Sequence, residues 1–65
     1  MLENKYFTEK GIREIIENLT AQLNTDIAES QVLYKYDCFT EYITVMDEIA
    51  RLADEISDLA NRLDN

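Results

Sequence analysis

The 65-residue sequence contains no proline, no histidine and no tryptophan, and only one glycine and one cysteine. Each absence closes off a class of explanation. One cysteine cannot form an internal disulfide, and without histidine the chain has no ordinary zinc ligand set. The same gap leaves a nucleophile without its usual base. Asp37 beside Cys38 also opposes thiolate formation, so the thiol reads as structural. No Gly-rich phosphate loop is present. Basic charge is scarce as well: 6 Lys+Arg stand against 14 Asp+Glu, a net charge of −8, which is the wrong sign for gripping a phosphate backbone. Uncharged runs fall far short of the ~18 residues a membrane span needs. Carboxylate neighbours such as Glu55/Asp58 and Asp54/Asp58 point outward from a helix and lack the Gly-turned loop that calcium proteins use. The sequence predicts no enzyme, no cofactor, no metal site, no direct nucleic-acid binding and no membrane contact.

What is present points to helices. Apolar residues make up 46% of the chain, too many for a solvated tail, and charged residues 31%, which suits a helical surface. A chain of this length makes one domain and is marginally stable alone, so association is the remaining route to stability. Met1–Phe7 has neither an apolar leader core nor a cleavage site, and a lone thiol fits a reducing compartment; a cytoplasmic location is expected.

Nothing after Gly11 forces the backbone out of a helix. Residues 1–7 form an arm, Thr8 is a reasonable N-cap, and Phe7 with Ile12 reads as a hydrophobic staple. Ile12, Ile15, Ile16, Leu19 and Leu23 then mark one face of a first helix, 8–24. Asn24-Thr25-Asp26 are three poor helix formers, and Asp26 followed by Glu29 reads as the cap of a second helix, 26–63. So short a link makes the two helices an antiparallel hairpin. One heptad register runs through the second helix, with Tyr42, Ile49, Ile56 and Leu63 at a, Val45, Leu52 and Leu59 at d, and Met46 at e. Asp37 or Thr40 offers an alternative break near 37–40, which would give a compact three-helix bundle.

Length then sets up an expectation of oligomers. At 1.5 Å per residue the first helix is about 25 Å long and the second about 57 Å. The first would leave Tyr42, Val45, Met46, Ile49, Leu52, Ile56, Leu59 and Leu63 to be covered by another chain, in a homodimer or larger bundle. Leu33, Tyr34, Tyr36 and Ile43 lie off that stripe. The aromatic and apolar set Tyr34, Tyr36, Phe39 and Ile43 is the expected contact for a different protein, since aromatic anchors dominate such interfaces. The acidic ridge Asp47, Glu48, Asp54, Glu55 and Asp58 is the expected steering surface for a partner with a basic patch. Together these predict a non-catalytic module that inhibits, masks or stabilises a larger protein, in the manner of antitoxins, co-chaperones or phage-type antagonists. The alternatives are a self-assembly subunit and an acidic nucleic-acid mimic.

Overall fold

The computed structural model describes residues 8–64 as two α-helices, α1 (Glu9–Lys35, 27 residues) and α2 (Phe39–Asp64, 26 residues), folded back on each other as a hairpin. The arm 1–7, and with it the staple between Phe7 and Ile12, lies outside the described residues. Thr8 caps α1 as its residue type implies: it is extended, and its hydroxyl accepts from the Gly11 N–H at 3.0 Å.

The expected boundary at residues 24–26 is not one. α1 runs through Asn24-Thr25-Asp26 unbroken, and two of these three polar side chains find a helical partner one turn away. The Thr25 hydroxyl donates to the Ala21 carbonyl at 3.1 Å, and Gln22 Nε2 donates to Asp26 Oδ1 at 2.9 Å. Asp26 is therefore an interior residue and not a cap. Three mediocre helix formers cost only tenths of a kcal/mol each, which tertiary packing outweighs when no Gly or Pro intervenes.

The chain reverses instead at 36–38, overlapping the alternative break near 37–40, but into two helices and not a three-helix bundle. The Asp37 N–H donates to Tyr34 O at 3.2 Å, and the Cys38 N–H reaches back to Leu33 O at 2.9 Å. This is the paired 5→2 and 6→1 bonding that closes a helix around a left-handed residue. Asp37 takes that position, with φ 61°. Glycine usually holds it, because a side chain there costs roughly 1–2 kcal/mol. Asp37→Gly should therefore stabilise the hairpin by about 1 kcal/mol, worth about 4–8 °C in thermal midpoint for a chain this small. A circular-dichroism melt showing no gain would mean that the Asp37 side chain offsets its own backbone cost.

Moving the turn makes the two helices equal in length, about 40 Å each at the standard rise. α1 can now cover all of α2. Ile12, Ile16, Leu19, Leu23, Asp26, Ser30 and Leu33 recur every three or four residues along α1 as its buried or half-buried line. On α2 the matching half-buried line is Tyr42, Val45, Ile49, Leu52, Ile56, Leu59 and Leu63. The seam expected to await a second chain is thus turned onto α1.

Coverage is one-sided. No large side chain is fully buried, and Ile12 (6% exposed) is the sole buried apolar residue of any size among those described. The molecule measures 52 × 18 × 15 Å, with a radius of gyration of 14.9 Å against about 11 Å for a compact chain of this length. Two helices bury only the line where they touch.

Candidate protein-binding surface

One residue along a helix is a rotation of about 100°. The residues that follow each seam position therefore form one flank of the hairpin, and those that precede it form the other. On α2 the following residues are Phe39, Ile43, Met46, Ala50, Ala53, Ser57 and Ala60, ending at Asp64. On α1 they are Arg13, Glu17, Thr20, Asn24, Ile27, Gln31 and Tyr34. From Phe39 to Ala60 and from Thr20 to Tyr34 none is charged; the charged residues Arg13, Glu17 and Asp64 lie at the end away from the turn. Antiparallel helices place these two sets on the same side, and the ring contacts agree. Tyr34 packs edge-on against Phe39 at 5.9 Å and 76°, and lies 5.5 Å from the Tyr42 ring. Ser30, Gln31, Tyr34 and Tyr42 line a shallow depression between the helices at this point.

This uncharged flank carries most of the exposed apolar bulk. Ile27, Tyr34, Phe39, Ile43 and Met46 are 39–66% exposed, all within the half of the hairpin nearest the turn. Scattered exposed apolar residues need no explanation, but five neighbours on one side mark a contact surface. Of the expected anchors, the fold brings Tyr34, Phe39 and Ile43 together and adds Met46, which leaves the expected oligomer seam. Tyr36 is set apart at the turn, 68% exposed, with Lys35 Nζ 5.9 Å from its ring centroid.

The opposite flank of α2 reads Glu41, Thr44, Glu48, Arg51, Glu55, Asp58 and Arg62. The expected acidic ridge lies across this flank and the back of α2, and it is partly neutralised. Arg51 pairs with Asp47 at 3.8 Å and Arg62 with Asp58 at 3.6 Å, both well exposed. Such pairs add little stability, but they lower the local field. Arg51, Asp54, Glu55, Ser57, Asp58 and Asn61 line an open trough on α2.

Glu48, on this flank, lies beside Asp26 of α1. Its carboxyl is raised above its ordinary value, first through a hydrogen bond with Asp26 and the charge of Asp26, then through slight desolvation and Glu29; Arg51 acts in the opposite direction. Asp26 is 4% exposed, and its Oδ2 has no hydrogen-bond partner. Two ionised carboxylates cannot bond to each other. Protonation of Glu48 would give the pair the donor it lacks, which is why the carboxyl is raised. Reading Asp26 as a cap hid this pair from the sequence; its place in the α1 heptad line, between Leu23 and Ser30, was the available signal.

No helix among the described residues is long and apolar enough to cross a membrane. Comparison of the chain with protein-family models, with curated proteins and with solved structures returns no match.

Proposed function

We propose that this chain is a non-catalytic protein-binding module of the cytoplasm, which masks or stabilises a partner protein through its uncharged flank. The observation that carries the reading is the contrast between the two flanks of α2. In a chain of net charge −8, an unbroken uncharged lane from Phe39 to Ala60 holds the exposed bulk of Tyr34, Phe39, Ile43 and Met46. Charge is depleted and aromatic residues and methionine are enriched at the centre of protein interfaces, with charge left at the rim. Asp47 and Asp54 sit at that rim. The paired ridge favours apolar docking over nucleic-acid mimicry, in which the acidic residues themselves would be the contact.

Ile43→Glu tests the reading. Ile43 is 66% exposed, so the hairpin tolerates the change, whereas an interface centred there should lose at least 2 kcal/mol, about thirtyfold in affinity. Immobilised wild type and variant are compared for binding by surface plasmon resonance. Equal binding by both would overturn the assignment, and binding that weakens steeply with salt would transfer it to the acidic ridge.

A further inference from the structure

We infer that the uncharged flank is occupied by a second copy of this chain, packed antiparallel about a two-fold axis near Ala50 to give a four-helix bundle. This inference rests on the reading of that flank as a protein-binding surface, and it names the partner. Three observations support it.

The first is the size pattern along the lane. Phe39, Ile43 and Met46 are large; Ala53, Ser57 and Ala60 are small; Ala50 lies between them. An antiparallel crossing centred on Ala50 sets Phe39 against Ala60 of the other copy, Ile43 against Ser57, and Met46 against Ala53. Every large side chain meets a small one, in both directions at once, as a two-fold interface requires. A parallel crossing would set large on large at the turn end and leave gaps at the other, which close-packed interiors do not tolerate.

The second is periodicity. The lane repeats at steps of 4, 3, 4, 3, 4 and 3 residues, and the seam facing α1 repeats in the same way one residue earlier. A helix with two such lines about 100° apart is built for two neighbouring helices, and α1 is only one of them.

The third is area and charge. The chain exposes 5252 Å², about 1,000 Å² more than a compact 7.6 kDa globule would. A standard dimer interface removes about 800 Å² per partner. Two chains of like net charge meet at least cost where charge is sparse, and the uncharged α2 lane from Phe39 to Ala60 is that place. Their remaining repulsion is screened by ions, so the dimer should tighten as salt rises, opposite to a complex with a basic partner.

Sedimentation and cysteine cross-linking of the full chain test this. Wild type at tens of micromolar should sediment at twice 7.6 kDa. Ala53→Glu, a change at an exposed site of the hairpin, should return it to monomer. In a Cys38→Ser background, Ala50→Cys should form the symmetric disulfide at least about tenfold faster than the outward control Asp54→Cys. Ala60→Cys, remote from the axis, should be no faster than that control. Self-linking at both 50 and 60 would overturn the antiparallel arrangement. A wild-type monomer would overturn the dimer; if Ile43→Glu still abolished binding to another protein, the flank would remain a protein-binding surface with a different occupant. A monomer with Ile43→Glu silent would remove both.

Discussion

Asp26→Leu should raise the stability of the protein by about 1–3 kcal/mol, the usual cost of a buried polar atom left without a partner. Asp26 sits in the seam between Leu23 and Ser30, 4% exposed, with Oδ1 bound by Gln22 and Oδ2 by nothing. A leucine continues the apolar line and removes the carboxylate that faces Glu48. The thermal midpoint should rise by several degrees at equal chain concentration. The change should also flatten the pH dependence. With its carboxyl raised in the fold, Glu48 contributes stability that is fully present below its ordinary value of 4.5 and is lost as the pH climbs through the raised one. The wild type should accordingly be more stable near pH 4 than near pH 7 as far as this pair is concerned. Asp26→Leu and Glu48→Gln should each reduce that difference. A midpoint lowered by Asp26→Leu would show that the carboxylate holds the helix register, as single polar residues in apolar seams do elsewhere, at a cost in stability.

Ile56→Asp should unfold the chain. Ile56 is half-buried in the line of α2 that packs on α1, so the aspartate would enter the contact between the hairpin's own helices. Core substitutions that bury an unpaired charge cost 3 kcal/mol or more, and a domain of this length has only about 3–10 kcal/mol in total. Far-UV circular dichroism should show the loss of most helix signal, with no folded monomer left behind. A variant that stayed helical and merely sedimented as a monomer would place the seam between chains instead of within one. Ile56→Asp and Ala53→Glu thus form a pair. They are three residues apart on the same helix, yet one should destroy the fold and the other only the assembly.

Much of the fold was legible in the residues. The absence of proline, the single early glycine, Thr8 and the three- and four-residue apolar steps led to an all-helical hairpin, and that is the architecture. The location of the turn was not legible. Asn24-Thr25-Asp26 looked like a break on propensity, but the Thr25 hydroxyl and one Asp26 oxygen find partners within the helix, and the pairing of α1 with α2 carries the helix across them. The true reversal uses Asp37 in a left-handed conformation that glycine usually marks, so its signal was weak. Misplacing the turn by about a dozen residues made the first helix too short, and the expected self-association seam followed from that shortness alone.

The division for the binding surface has the same cause. Composition by itself determined that the chain is acidic and without histidine, and it pointed to helices. Periodicity determined which residues of α2 share a line. Neither could say which of two adjacent lines faces α1, because each is a valid heptad and they differ by a single residue of rotation. Only the tertiary pairing of α1 with α2 decided that Tyr42, Ile49 and Ile56 go inward, leaving Phe39, Ile43 and Met46 on an open flank. It likewise set Asp26 against Glu48, a contact between residues 22 positions apart that no local pattern encodes. Local spacing records what one helix can present, and the packing of two helices selects what is left to meet a partner.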